Sequence, residues 1–195
     1  DSHVSTGLIG IQFLMRGLTR NGEKELAYTI ATNRSYPSWG YMIDKGATTI
    51  WELWNGDTAN PAMNSGNHVM LLGDLMSWYF EDLAGIKSDS QQVGFKKIIM
   101  EPCFPENLDW VDASTETLYG KVASHWQKTA EGLKWEVEIP ANTTALIRIP
   151  ATSADAVTEN GQPLLQNPAI KAVQTADTFV SAEVGSGKYS FNVKK

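Results

Sequence analysis

A single carboxylate, Glu52, lies between two indole side chains, Trp51 and Trp54, in the segment GATTIWELWNGD (46–57). Sugars present apolar C–H faces on which indole rings stack. A carboxylate among such rings is partly removed from water, which tunes its affinity for a proton. From its position alone, Glu52 is more simply interpreted as a surface acid beside two half-buried packing residues. The functional alternative is a general acid or base in a sugar-binding site, which the pattern allows but does not specify.

His68 follows in the polar run NSGNH (64–68), which also contains Asn64, Ser65 and Asn67. Amide, hydroxyl and imidazole groups suit the recognition of sugar hydroxyls, and some of the same residue types cap the N-terminus of a helix. The run therefore predicts that His68 donates to a sugar hydroxyl or, alternatively, that it is a histidine satisfied at a helix start.

No other set of residues has the spacing of a reactive or cofactor-binding site. His3, His68 and His125 are far apart, and HxxxH and CxxC patterns are absent, so no metal site is predicted. The sequence also lacks a GxSxG motif and a glycine-rich phosphate loop, and no cofactor is expected. Cys103 is the one cysteine, which excludes a disulfide within the chain. Cysteine usage therefore leaves the compartment open between periplasm or exterior and cytoplasm.

The elements that must position these residues change in type along the chain. Apolar residues recur at helical spacing after Ser5 or Thr6, either of which is a plausible N-cap, and again over 26–31. Residues 37–63 are predicted to be a long irregular stretch, followed by a third helix from about residue 65. From about residue 92, short β-rich segments alternate with turn signals, as in an antiparallel β-sandwich. The predicted fold class is α+β, with helices in residues 1–90 and a sandwich in residues 91–195.

Composition excludes two classes of partner. The chain has 195 residues, of which 42% are apolar and 19% charged, as expected of one sizeable globular domain or two modest ones. The net charge is −6 and the basic residues are scattered. No basic stripe is therefore available for nucleic acid or for an anionic membrane surface. No apolar run approaches the roughly 18 residues of a membrane span. We expect neither nucleic acid nor a membrane as a partner.

Several segments closely resemble bacterial α-L-rhamnosidases. The stretch YPSWGYMIDKGATTIWELWNGD (36–57), followed by MNSGNH (63–68), resembles the last part of the family's catalytic domain, and STGLIG (5–10) resembles the helix start before it. The run from TLYGKVASHWQK (117–128) to GLKWEVEIPANTTALIRIPA (132–151) resembles the β-sandwich that follows that domain. The resemblance implies that residues 1–90 are the last helices of an incomplete (α/α)6 barrel and residues 91–195 a C-terminal antiparallel β-sandwich.

The resemblance also implies a reaction. The family hydrolyses terminal α-L-rhamnosyl linkages with inversion, which requires two carboxyl groups about 6.5–9.5 Å apart. The family's general base falls on Glu52 and its sugar-contacting histidine on His68, with Trp54 and Trp39 as walls of the same pocket. The general acid belongs to upstream segments outside this sequence. The implied partners are a rhamnose-containing glycoside or polysaccharide and the remainder of the chain's own catalytic domain, without which these 195 residues are expected to be inactive.

Two alternatives stay open, namely a non-catalytic carbohydrate-binding module and another (α/α)6 sugar hydrolase. A sandwich that binds sugar would keep an aromatic platform on its own strands or loops. Five of the seven tryptophans (39, 51, 54, 78 and 110) precede residue 111, which leaves only Trp126 and Trp135 for the sandwich. This distribution favours the hydrolase.

Overall fold

The computed structural model describes residues 2–194, in which helices precede strands along the chain. The predicted α+β class is confirmed. The chain divides into two compact units, a helical unit and a strand-rich one. The helical unit holds the residues up to Tyr79 together with Phe104–Glu106, and the other holds Phe80–Cys103 together with the residues from Asn107 onward. Within residues 2–194, none of the helices is long and apolar enough to span a membrane.

Four α-helices lie in the described part of the helical unit, joined by irregular segments. Their bounds are α1 Leu8–Arg20, α2 Lys24–Thr32, α3 Trp39–Asp44 and α4 Met70–Trp78. A 3-10 turn spans Pro61–Met63. A π-helical turn, Tyr79–Leu83, continues the chain directly after α4.

Helix α1 begins later than the sequence predicts. Its first helical hydrogen bond runs from the Ile11 N–H to the Gly7 carbonyl at 3.1 Å. Gly7 caps the helix without a side-chain bond, so the predicted cap at Ser5 or Thr6 is wrong. The backbone carbonyl of Thr6 instead accepts the indole N–H of Trp54 at 3.0 Å. This bond fixes the chain before α1 against the loop that follows α3.

The stretch 37–63 is more regular than predicted, because α3 lies inside it. Ser38 caps α3, since its hydroxyl accepts the Tyr41 N–H at 2.9 Å. Helix α4, in contrast, begins at Met70, later than the predicted start near residue 65. Residues 64–68 are not helical because their backbone groups bond to residues 50–53 instead.

The helices pack through buried side chains of α4. Its buried face consists of Leu71, Leu75 and Trp78, whereas Val69, just before the helix, is 66% exposed. Trp78 donates its indole N–H to the hydroxyl of Thr19 in α1 at 2.8 Å. A buried N–H without an acceptor costs about 1–3 kcal/mol, so this bond stabilises the contact between α1 and α4.

The second unit is the predicted β-sandwich. Its strands are β1 Ile86–Ser88, β2 Lys97–Met100, β3 Trp110–Thr117, β4 Gly120–Thr129, β5 Gly132–Ile139, β6 Thr144–Ile149, β7 Val157–Glu159, β8 Gln162–Pro163, β9 Lys171–Thr175, β10 Val180–Val184 and β11 Gly187–Lys194. One sheet has the order β1-β2-β6-β10-β9 and the other β3-β4-β5-β11-β7-β8. Buried residues alternate with more exposed ones along β4 and β5, so each strand turns one face toward the core.

The sandwich departs from the sequence prediction in two respects. Strands β2 and β6 pair in parallel, so the sheets are not purely antiparallel. Strand β3 was not predicted, and it brings Trp110 into the sandwich. Trp126 and Trp135 are completely buried, and their indole N–H groups donate to the Leu83 carbonyl and the Ser124 hydroxyl. These two rings therefore belong to the core rather than to a binding surface.

Candidate functional site

Glu52 lies in an irregular segment between α3 and the 3-10 turn, and a second irregular segment, residues 64–68, lies beside it. Two backbone hydrogen bonds join the segments. The Glu52 N–H donates to the Ser65 carbonyl at 2.9 Å, and the His68 N–H donates to the Ile50 carbonyl at 2.7 Å. The motifs GATTIWE and MNSGNH, which are separated in the sequence, are therefore adjacent in the fold.

The Glu52 carboxylate is held at one of its two oxygens. Oε2 accepts the backbone N–H of Ser65 at 3.0 Å and lies 3.9 Å from Nδ1 of His68. Oε1 accepts no hydrogen bond from the residues that the structure describes. The side chain is 43% exposed, so water reaches it. A carboxylate with one fixed oxygen and one available oxygen can take a proton from a water molecule.

His68 lies beside Glu52 with most of its ring covered. Its side chain is 19% exposed, and Nε2 is buried without a hydrogen-bond partner among residues 2–194. Such a nitrogen costs about 1–3 kcal/mol, and unsatisfied groups in native proteins often mark a catalytic role or a bound molecule. Nε2 therefore has neither a hydrogen-bond partner among the described residues nor contact with water.

The two tryptophans predicted to line the pocket form an edge-to-face pair. The ring centroids of Trp39 and Trp54 are 5.4 Å apart with an angle of 87° between the ring planes. Trp39 is only 4% exposed and donates its N–H to the Leu71 carbonyl at 3.2 Å. Trp54 is half-buried. In this chain, Trp54 retains ring surface for a ligand, whereas Trp39 packs behind it in the core.

Sequence reasoning missed the side chains that fix the loop around Glu52. Asn64 Oδ1 accepts the Leu53 N–H at 3.0 Å, across eleven residues of sequence. The Tyr41 hydroxyl donates to the Asp57 carboxylate, whose oxygens lie 2.9 and 3.1 Å away. Partial burial raises the pKa of Tyr41, and the bond to Asp57 raises it further. Neither contact follows a helical or strand spacing, so only the fold reveals them.

A cleft of about 530 Å³ lies in the helical unit beside this loop. Its walls are mainly apolar and include Trp39, Met42, Ile50, Leu72 and Tyr79. Glu52 and His68 are not among its lining residues, so the cleft alone does not define the chemistry. Across residues 2–194, no group of three or more His, Cys, Asp or Glu side chains is placed to hold a metal ion. The candidate site is therefore centred on Glu52 and His68.

Known families match most of the chain. The family model of the bacterial alpha-L-rhamnosidase 6 hairpin glycosidase domain matches residues 1–83, and that of the bacterial alpha-L-rhamnosidase C-terminal domain matches residues 85–163. The chain belongs to the bacterial α-L-rhamnosidase family. Both Glu52 and His68 of this rhamnosidase-family chain lie in the part that matches the glycosidase domain.

Individual relatives are similar along the whole chain. An alpha-L-rhamnosidase of Formosa agariphila is 35% identical over 100% of this chain and 21% of its own length. The structure of Streptomyces avermitilis alpha-L-rhamnosidase complexed with L-rhamnose is 34% identical, with a TM-score of 0.88 over 100% of this chain and 18% of that one. The structure of the alpha-L-rhamnosidase from Dictyoglumus thermophilum is 32% identical, with a TM-score of 0.89 over 100% of this chain and 22% of that one. The rhamnosidase-family chain thus spans about a fifth of the length of these relatives.

Proposed function

We propose that this chain forms the C-terminal part of an inverting glycoside hydrolase that cleaves terminal α-L-rhamnosyl residues, with Glu52 as the general base. The observation that carries the proposal is the placement of the Glu52 carboxylate against the Ser65 N–H and His68, within the part that matches the glycosidase domain. Similar proteins are named alpha-L-rhamnosidases, and one of them was solved with L-rhamnose.

The geometry suits one half of an inverting mechanism. In that mechanism one carboxyl group protonates the leaving oxygen, and a second activates a water molecule on the opposite face of the sugar. Glu52 fits the second role, because Ser65 fixes one carboxylate oxygen while water reaches the side chain. We assign the His68 side chain to a sugar hydroxyl and the ring of Trp54 to the sugar's C–H face, with Trp39 behind it. The general acid would come from upstream sequence.

Exposed apolar side chains support the proposal that more of the barrel covers this unit. Ile9 and Phe13 of α1 are 76% and 67% exposed, and Met70 of α4 is 55% exposed. Burying a large apolar side chain contributes about 1.5–3 kcal/mol, so a partner surface that covers these residues gains substantial free energy. We expect the remainder of the catalytic domain to supply this surface. The 195 residues alone should therefore lack hydrolase activity.

The test is hydrolysis of p-nitrophenyl α-L-rhamnoside by the longer protein that carries this sequence. Wild-type protein should release nitrophenol, and proton NMR should detect the β anomer of rhamnose first. Glu52→Gln keeps the shape of the side chain and removes the base, so it should lower kcat by about 10²–10⁴-fold. Glu23→Gln, at an exposed glutamate of the same unit, is the matched control and should retain kcat.

The outcomes separate the two parts of the proposal. Near-normal turnover by a folded Glu52→Gln protein would remove Glu52 from the role of general base. First release of the α anomer would refute inversion. A folded wild-type protein that binds rhamnosides and cleaves none would favour a carbohydrate-binding module, in which Glu52 accepts a hydrogen bond from the sugar.

A further inference from the structure

Asn64 lies where the two irregular segments of the candidate site meet. Its Oδ1 accepts the backbone N–H of Leu53 at 3.0 Å. The next residue, Ser65, donates its N–H to the Glu52 carboxylate at 3.0 Å and accepts the Glu52 N–H at 2.9 Å. Ser65 therefore holds Glu52, and Asn64 holds Leu53, the residue after Glu52. We propose that Asn64 is a positioning residue for the general base, an inference that rests on the proposed function of Glu52.

No regular element holds the backbone around Glu52, so the Asn64 bond acts together with the bonds that join Glu52 to Ser65 and Ile50 to His68. Residues 50–53 and 64–68 belong to neither a helix nor a strand. Their peptide N–H groups consequently need individual partners. Among the residues that the structure describes, Asn64 Oδ1 is the acceptor for the Leu53 N–H. Without it, the Leu53 peptide can turn toward water, and the carboxylate of Glu52 moves with the backbone.

The loss of the Asn64 bond should slow the reaction, because catalysis tolerates little displacement of the general base. A catalytic group misplaced by about 1 Å can lower the rate by about 10²-fold, even when the altered residue does not touch the substrate. Asn64 acts through Leu53 rather than through the sugar, so its loss should lower kcat and leave substrate binding nearly unchanged. A residue that contacted the sugar in the ground state would change KM instead.

Three substitutions isolate the acceptor oxygen. Asn64→Leu has a similar size and removes the acceptor, whereas Asn64→Asp keeps an acceptor oxygen at the same place. Asn60 offers a matched control in the same loop, because its Oδ1 also accepts a backbone N–H, that of Ala62, at 3.0 Å. The Asn60 bond caps the 3-10 turn and does not hold the Glu52 segment.

The experiment compares these variants in the longer protein with p-nitrophenyl α-L-rhamnoside. We expect Asn64→Leu to lower kcat by about 10–100-fold and to change KM by less than about threefold. Asn64→Asp should recover kcat to within about threefold of wild type. The comparison is made on the plateau of the pH profile, where the general base is fully deprotonated and the added negative charge does not change its protonation. Asn60→Leu should stay within about twofold. Asn64→Ala replaces Asn64→Leu in the comparison if the leucine variant does not fold.

Several results would overturn the assignment. Unchanged kcat in Asn64→Leu would refute it, as would a failure of Asn64→Asp to recover activity. Equal losses in Asn64→Leu and Asn60→Leu would indicate general loop stability rather than positioning. Amide hydrogen exchange at Leu53 gives a readout independent of activity, and it should accelerate in Asn64→Leu but not in Asn60→Leu. If the wild-type protein hydrolyses no rhamnoside but exchange at Leu53 still accelerates only in Asn64→Leu, the proposed function is refuted, whereas the hold of Asn64 on Leu53 is not.

Discussion

At the scale of single residues, the candidate site combines a carboxylate oxygen that has a hydrogen-bond partner with a histidine nitrogen that has none among the described residues. One oxygen of Glu52 has a fixed partner in the Ser65 N–H, whereas Nε2 of His68 is buried with no partner among residues 2–194. The cost of removing Nε2 from water is already included in the folded state. Within the described residues, Nε2 receives no hydrogen bond in return for that cost. The nitrogen therefore does not contribute to the stability of the fold.

We predict that His68→Phe separates activity from stability. Phenylalanine keeps the ring and removes both nitrogens, so kcat/KM for the rhamnoside should fall by about 10–100-fold, the equivalent of one lost hydrogen bond of about 1.5–3 kcal/mol. The unfolding midpoint should stay the same or rise, because the unpaired buried nitrogen is gone. Steady-state kinetics and denaturant unfolding of the longer protein check the two halves.

His125 provides the control for this prediction. Its Nδ1 lies 3.8 Å from the Asp112 carboxylate in the sandwich, nearly the same separation as between His68 and Glu52. Strand β4 carries this histidine in the strand-rich unit, outside residues 1–83 that match the glycosidase domain. His125→Phe should therefore leave kcat/KM within about twofold of wild type. Equal losses in the two variants would mean that neither histidine contacts the sugar.

At the scale of elements, the sequence predicts structure where periodicity is strong and misses it where tertiary contacts decide. The helix over 26–31 and the alternating segment LKWEVEI appear as α2 and β5. The start of α4 was predicted too early, because the His68 N–H and the Ser65 carbonyl bond across the loop to Ile50 and Glu52 rather than along a helix. That preference depends on residues 50–53, which no local pattern connects to residues 64–68.

Strand β3 shows a second reason for a missed element. Its less exposed positions are Val111, Ala113, Thr115 and Thr117, which give little hydrophobic contrast with the polar residues between them. It lies at the edge of its sheet, paired only with β4 among the described strands, so it buries little surface. Similarly, the resemblance identified Glu52 from its motif, whereas the role of Asn64 depends on a contact with Leu53 that only the fold supplies.

We predict that Gly56→Ala destabilises the loop that carries Glu52. A Cβ at residue 56 would lie 2.6–2.7 Å from ring atoms of Trp51, closer than carbon atoms can approach. The indole cannot yield as a flexible chain end does, so the loop must shift, at a cost of about 1–3 kcal/mol. Since Trp51 is adjacent to Glu52, kcat should fall as well. Denaturant unfolding followed by tryptophan fluorescence measures the first effect, and rhamnoside hydrolysis measures the second.

Gly17→Ala is the matched control for this loop. Gly17 lies inside α1, and a Cβ there would meet nothing within 4 Å. Alanine in a helix interior is more favourable than glycine by about 0.5–1 kcal/mol, so this variant should be slightly more stable than wild type with unchanged kcat. An equally stable and active Gly56→Ala protein would show that Trp51 can move without disturbing the site.

At the scale of the whole molecule, the placement of aromatic rings favours the hydrolase over a binding sandwich. The sequence argument counted Trp110 outside the sandwich, but it begins β3 and is 58% exposed. Trp126 and Trp135 are completely buried in the core. Among the described residues, Trp110 is therefore the one exposed tryptophan of the sandwich, and Tyr119, in the turn between β3 and β4, is 38% exposed. The rings that accompany a carboxylate are those near Glu52 in the helical unit.

Each unit also contains a tyrosine that reports on its stability at alkaline pH. Burial raises the pKa of Tyr79 in the helical unit above its ordinary value of 10.0. Burial also raises the pKa of Tyr189 in the sandwich, and the negative charge of Glu159 raises it further, against a smaller opposing effect of the hydrogen bond to the Gly185 carbonyl. In both cases the unfolded chain releases the proton at a lower pH than the folded chain does. The stability associated with each phenol is therefore complete below the unfolded pKa and is lost as pH rises through the folded pKa.

We predict that replacing each tyrosine by phenylalanine shows how much of the stability lost at alkaline pH is due to that tyrosine. Phenylalanine cannot ionise in either state, so the difference in unfolding free energy between wild type and Tyr79→Phe should be constant below about pH 9 and should shift in favour of the variant above about pH 10. Tyr189→Phe should show the same trend in the unfolding of the sandwich. Denaturant midpoints measured at a series of pH values check both trends. A difference that does not change with pH for one variant would mean that its phenol ionises equally in the folded and unfolded states, and burial would then not control that tyrosine.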